Sequence, residues 1–243
     1  MRMLSFAKRN IKEMVRDPLT LGFGIGFPLV LILLLSAIQA NIPVSLFEIE
    51  SLAPGIAVFG LSFMALFSAL MISKDRSSSL LQRLYTTPMT SLDFILGYTL
   101  PIIPLALAQT VICYIVAIML GLDLTVNILL VILFTIPISL LFIAMGLLFG
   151  SILNDKQVGG ICGALLTNLS AWLSGTWFDL ELVGGAFKKI AYALPFAHAV
   201  DLGRAVLSGS FSDILPHLAW VLGYALVLLA AAVALFLRQM KRQ

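Results

Sequence analysis

Apolar positions along this chain come in long unbroken stretches instead of at spaced core positions. Residues 19–38 hold no charged side chain, and thirteen of these twenty are Leu, Ile, Val or Phe. At about 1.5 Å per residue, roughly 20 helical residues cross the ~30 Å hydrocarbon core of a bilayer. Five further runs follow at about 52–73, 94–120, 125–151, 158–178 and 212–237. Gly121-Leu122-Asp123 separates the third run from the fourth, and Asn154-Asp155-Lys156-Gln157 the fourth from the fifth. The pattern predicts an all-α membrane protein, a single transmembrane domain over 1–243 with six spans. Residue 18 ends a leader too long for a secretory signal, so the first run reads as a retained helix.

Basic residues orient the spans. With six crossings, twelve of the fifteen Lys and Arg fall on one side: Arg2, Lys8, Arg9, Lys12, Arg16, Lys74, Arg76, Arg83, Lys156, Arg238, Lys241 and Arg242. Lys188, Lys189 and Arg204 fall on the other. The positive side faces the cytoplasm, so both termini are expected inside, most simply in a bacterial cytoplasmic (inner) membrane. Composition agrees with lipid as the solvent: 11% charged residues cannot clothe a water-facing surface, which takes about 25%.

Three segments between or beside the spans carry a pattern of their own. In residues 1–17, Met3, Leu4, Ala7, Ile11, Met14 and Val15 share one helical face and Arg2, Ser5, Arg9, Lys12, Glu13 and Arg16 the other, with Phe6 on the margin. A basic amphipathic helix there is expected to lie in the cytoplasmic interface, ended by Asp17-Pro18. In the cytoplasmic loop 74–93, Leu80, Leu81, Leu84 and Tyr85 repeat at helical spacing before Thr87-Pro88, predicting a short helix parallel to the membrane. The outer loop 179–211 places Val183, Phe187, Ile190, Ala191 and Leu194 at helical spacing, then Pro195, then an apolar run from Ala199. Two short helices forming a re-entrant hairpin between spans five and six are expected, because backbone at that depth must bond to itself.

The chain shows no chemistry of its own. There is no Gly-x-x-x-x-Gly-Lys-Ser/Thr phosphate loop, His198 and His217 are isolated in sequence, and Cys113 and Cys162 sit inside apolar runs, so no metal site or disulfide is expected. The spans carry no ionisable residue away from their ends, which disfavours an ion-coupled carrier. If the chain pumps, a partner supplies the energy. Gly22-x-x-x-Gly26 and Gly146-x-x-x-Gly150 permit close helix approach, and Gln109, Asn127 and Asn168 are the amides at span depth.

Read together, the order of elements resembles the permease subunit of an ABC-2-type exporter, with a type V exporter-like fold. Two stretches carry the resemblance: Gln82-Arg83-Leu84-Tyr85-Thr86-Thr87-Pro88-Met89, and Leu173-Ser174-Gly175-Thr176-Trp177-Phe178 followed by Leu194-Pro195-Phe196-Ala197-His198-Ala199-Val200-Asp201-Leu202-Gly203-Arg204. The chain departs from the family's usual loop at Ser77, Ser79, Leu80 and Gln82, and Asp179 stands where a Pro is usual.

The resemblance implies a second permease copy, as homodimer or heterodimer, and two ATP-binding cassette subunits that hold ATP and Mg; no cofactor is expected on this chain and no nucleic-acid partner. Leu80, Leu81, Arg83, Leu84, Tyr85, Thr87 and Pro88 would form the coupling helix and its stop, and the N-terminal helix a second ATPase contact. Phe59, Phe63, Phe67 and Met71 on the second span, with Asn168 and Trp172 on the fifth, would line the translocation path. Pro195, Asp201 and Arg204 mark the outer hairpin that caps its exit. Drugs, lipids or lipid-linked glycans are the implied substrates. The alternative reading is a non-transporting multi-span scaffold or assembly factor.

Overall fold

A computed structural model of the chain describes residues 2–78 and 90–240, and among them every regular element is a helix. The coupling-helix residues Leu80, Leu81, Arg83, Leu84, Tyr85, Thr87 and Pro88 lie outside the described residues. The helices are α1 (Arg2–Arg16), α2 (Pro18–Gln39), α3 (Ile49–Ser77), α4 (Ser91–Thr99), α5 (Ile102–Met119), α6 (Asn127–Ile152), α7 (155–173), α8 (Leu180–Val183), α9 (Gly185–Ala193), α10 (Pro195–Ser208) and α11 (Phe211–Met240). Five stretches are long and apolar enough to cross a membrane: α2, α3, α4 with α5 (Leu92–Met119), α6 and α11. The bent pair α9 and α10, set at 80°, makes a sixth if it counts as one span.

The expected fifth span, 158–178, is drawn differently. Its helix starts at Asp155, capped by Asn154, and stops at Leu173, where Ser174-Gly175 turns the chain and Gly175 takes φ +70°, a conformation open to glycine. With Asp155-Lys156-Gln157 in its first turn, α7 is less apolar than the other spans and is not one of the five. Its middle, Gly159–Leu166, is wound as a π-helix, as is Gly22–Gly26 in α2.

The centre of the bundle is α3. Of its most apolar window 89% is buried within this one chain, against 22% for α2 and for α11. The α3–α6 seam is the closest approach. A Cβ at Gly146 would stand 2.3 Å from the Ala65 carbonyl oxygen, and one at Gly150 would stand 2.7 Å from that of Ala69. Two backbones in such contact gain dispersion energy along their whole length, which drives packing where lipid and side chain are equally apolar. Gln109 is buried between α5 and α3 against Gly60 and donates to the Ala57 carbonyl (3.3 Å), while Asn127 ties α6 to the end of α10 through the Leu207 carbonyl (3.0 Å).

Beside the C-terminal end of α3, α1 divides its surface three ways. Phe6, Ala7, Asn10 and Met14 are buried against the protein, mainly α4. Phe6, assigned to the margin by its position on the wheel, is the anchor: its ring meets Tyr98 edge-on at 5.0 Å and fills the space left by Gly97. Burying it is worth about 1.5–3 kcal/mol. Leu4 and Val15 are 62% and 57% exposed and, with Ile11, form a separate apolar strip beside Lys8 and Lys12.

Candidate functional site: a clamp, a groove and an outer corner

Three constellations occupy the two ends and the flank of α3. The first is a clamp at the C-terminal end of α3, where α1 packs. α3 extends through Ser77, so the first residues of the 74–93 loop continue the helix; the far end is helical too, with Thr90 and Asp93 forming a reciprocal cap at the start of α4. Asp75 is only 2% exposed, and Arg9 reaches it from α1 in a two-pronged bond, Nη1 to Oδ2 at 2.6 Å and Nη2 to Oδ1 at 2.7 Å. The Tyr98 hydroxyl donates to the same carboxylate (2.9 Å), and Asn10 donates to the Gly97 carbonyl (3.0 Å). The hydrogen bond to Asp75 holds the Arg9 guanidinium above its ordinary pKa, against the opposing effect of burial. Such planar, charge-assisted pairs fix orientation as well as distance. One residue on, Arg76 donates to the carbonyls of Ser151 and Leu153 at the end of α6. The root of the loop is thus fastened to α1, α4 and α6 at once.

The second constellation is a groove of about 490 Å³ between α2, α3 and α7. Phe59 and Phe63 form its floor, Phe23 and Phe27 one wall, and Thr167, Asn168 and Trp172 the other. The rings interlock: Phe59 and Phe63 meet edge-on at 5.8 Å, Phe27 and Phe63 likewise at 5.8 Å, and Trp177 closes on Phe59 at 5.6 Å. Among the described residues no charged side chain lines the groove. Asn168 donates its amide to the Ala164 carbonyl of its own helix (2.7 Å) and remains exposed, as does Trp172. Four of the six residues expected on a path therefore share one wall system. Phe67 and Met71 do not: both are buried further along α3, beside a small cavity of about 40 Å³ where Met14 and Thr20 pack, and Phe67 sits against Gly24. Phe23 and Phe27, four apart on the first span, were not singled out from sequence, although their spacing puts them on one face.

The third is a corner at the opposite end of α3, on the side expected from the sequence to face outward. Pro195 opens α10, and Leu194 before it is extended, which produces the 80° bend. Arg204 donates to the carbonyls of Gly175 (2.8 Å) and Ser51 (3.4 Å) and stands 3.6 Å from Asp201, which accepts from the Tyr192 hydroxyl (3.0 Å). Arg204 thus joins the two stretches 173–178 and 194–204 to each other and to the start of α3. Asp201 and Arg204 also line an open pocket of about 700 Å³ at this end that includes Glu50, Asp123, Asp213 and His217.

Among the described residues no group of three or more His, Cys, Asp and Glu is placed to hold a metal ion. Cys113 and Cys162 are both buried and free.

No curated protein compared with the chain matches it. A family model described as ABC-2 type transporter does match, over residues 2–208, from α1 to the end of α10. That range takes in the clamp, the groove and the Arg204 contacts of the corner, and the chain belongs to the ABC-2 type transporter family.

Proposed function

We propose that the chain is the membrane-spanning permease subunit of an ATP-driven exporter that moves a hydrophobic or amphipathic substrate (drug, lipid or lipid-linked glycan) outward across a bacterial cytoplasmic membrane. The family is one of permeases that normally work with ATP-binding subunits. In this reading two such subunits dock on the cytoplasmic face, bind ATP and Mg there, and push on the 79–89 segment. A second permease copy, identical or different, covers the open side of the groove. α9 and α10 form a re-entrant cap, α7 serves as the fifth of six spans, and both termini are cytoplasmic.

The observation that carries this reading is the groove. It is aromatic, free of charge and flanked by an exposed amide and indole, so it can hold an apolar body at low desolvation cost and orient a polar head through Asn168. The clamp supports the coupling half. Arg9–Asp75, Tyr98–Asp75 and Arg76–Ser151 fasten the root of the loop, so force on it reaches α1, α3, α4 and α6 together. The test is to purify the chain from its host in lipid, identify the co-purifying subunits and assay ATP-driven export with Arg83→Asp/Leu84→Asp. An associated ATPase whose hydrolysis continues while export stops is expected. A chain that purifies alone, under conditions that keep other membrane complexes intact, supports the scaffold reading instead.

A further inference from the structure

Two histidines that are nineteen residues apart in sequence meet at the outer corner. His198, in the first turn of α10, stands with its Nδ1 2.9 Å from the Nδ1 of His217 on α11. Its other nitrogen, Nε2, lies 2.9 Å from the Tyr192 carbonyl near the end of α9. A carbonyl only accepts, so Nε2 carries the hydrogen. In neutral His198 the Nδ1 is then a lone pair, and His217 must be the donor in the bond between them. The same face of α11 continues the grip. Trp220 stacks on the His198 ring at 4.8 Å and 8°, and the Tyr224 hydroxyl donates to the Ala193 carbonyl at 2.6 Å. His217, Trp220 and Tyr224 thus hold the α9–α10 corner by three successive contacts.

We propose that His198 and His217 form a proton-operated latch that fastens the α9–α10 corner to the last span at neutral pH and releases it when the outer face acidifies. The pair tolerates one added proton, because a charged His217 still donates to His198. A charged His198 can likewise donate to a neutral His217 that presents its Nδ1 lone pair, so only a second proton, with both rings charged, places two N–H groups against each other and removes the bond. The latched state therefore binds fewer protons than the released state with both rings charged, and it weakens as acid supplies the second proton. Protons have a route, since His217 lines the open pocket.

The charged and titratable groups around the pair are accounted for. Tyr192 is committed to Asp201, and Lys188 sits over the Tyr192 ring and pairs with Glu181 of α8. Asp201 and Arg204 come from α10, Asp213 from α11, Glu50 from α3 and Asp123 from the α5–α6 connection, while α6 brings no charge. Burial and the neighbouring His217 ring oppose a charged His198, while of these carboxylates Asp201 favours it.

The latch would govern the cap of the proposed export route, but its test needs neither substrate nor ATPase, so its failure would leave the exporter reading standing. Amide hydrogen exchange is measured on the full chain in lipid nanodiscs at about pH 7.5 and about pH 5, corrected for intrinsic exchange. Amides of 190–200 are expected to exchange about fivefold to tenfold faster at the lower pH, the loss of roughly one hydrogen bond. His217→Gln should stay protected at both, since its side-chain amide can donate to neutral His198 or turn to accept from the charged ring. Equal protection of the wild-type corner at both pH values overturns the latch. So does a His217→Gln chain that responds to pH as the wild type does.

Discussion

The same Gly-x-x-x-Gly spacing occurs on α2 and on α6, and the two copies have opposite surroundings. On α6, Gly146 and Gly150 press against the carbonyls of Ala65 and Ala69, and any Cβ would collide with backbone. On α2, a Cβ at Gly22 or Gly26 would meet nothing within 4 Å, and neither would one at Gly159 or Gly160 on α7. The first pair closes a dry seam. The second set lies in the π-wound stretches that border the groove, where an extra residue per turn loosens the ladder. One side of α3 is built to be rigid. The other leaves Gly22, Gly26, Gly159 and Gly160 open, although Gly24 between the first two is closed by Phe67.

The largest effect that can break this contrast is at the seam. Gly146→Val should place two methyl groups where a carbonyl oxygen already stands, and backbone cannot yield as a side-chain tip can. The cost should reach or exceed the top of the ~1–3 kcal/mol typical of overpacking, with loss of a monodisperse protein in mild detergent. A Gly146→Val chain as stable as wild type to thermal challenge would mean that α3 and α6 are not held as the geometry has them.

Next in size is the clamp, which extends the rigid side to α1 and α4. Arg9→Ala leaves the Asp75 carboxylate buried with Tyr98 as its remaining side-chain donor. The penalty should be about 2–3 kcal/mol, below the ~3–5 of a fully buried pair because the Arg9 side chain is 40% exposed. Arg9→Lys should recover part of it, since a lysine supplies the charge but not the fork. Unfolding midpoints in one detergent would rank the three chains, and an Arg9→Ala chain matching wild type would detach α1 from the rigid body.

On the groove side the contrast predicts function without stability. Trp172 is 57% exposed, so Trp172→Ala should change unfolding by no more than about 0.5 kcal/mol. Removing that wall should nevertheless weaken binding of an apolar substrate by about fivefold to tenfold. Phe63→Ala, at a buried position between Phe23, Phe27 and Phe59, should lose both. If Trp172→Ala destabilises as much as Phe63→Ala, the indole packs against something in the assembly instead of lining a route.

These positions also show what a single sequence discloses. The apolar runs and the proline before α10 could be read directly, because membrane thickness and proline's missing N–H act locally. The α1 helix could be read as amphipathic, but the wheel could not separate the strip that faces protein, Phe6 to Met14, from the strip left exposed, Leu4 to Val15. Both are apolar; only the partner distinguishes them. The Arg9–Asp75 bond spans sixty-six residues and the His198–His217 contact nineteen, and neither leaves a local trace. The aromatic face of α3 looked continuous from Phe59 to Met71, yet α1 and the start of α2 cover its C-terminal half, so only Phe59 and Phe63 reach the groove.

The smallest expected effect is the most discriminating, because it is a difference in sign. Alanine in place of glycine inside a helix gains about 0.5–1 kcal/mol when the new methyl has room, since the unfolded chain loses freedom and the helix does not clash. Gly22→Ala and Gly159→Ala should therefore stabilise the isolated chain slightly, while Gly146→Ala destabilises it. Melting curves of the three variants, taken side by side on the single chain, settle the ordering. The comparison then sharpens in the assembled complex. If a second copy closes the groove, the space beside Gly22 is filled there, and Gly22→Ala should lose its advantage or reverse it. A gain on the single chain that persists unchanged in the complex would leave that face to lipid and move the contact between copies elsewhere. A loss already present on the single chain would show that α2 packs more tightly than its open glycines imply, and the division of α3 into a rigid side and an open side would fail.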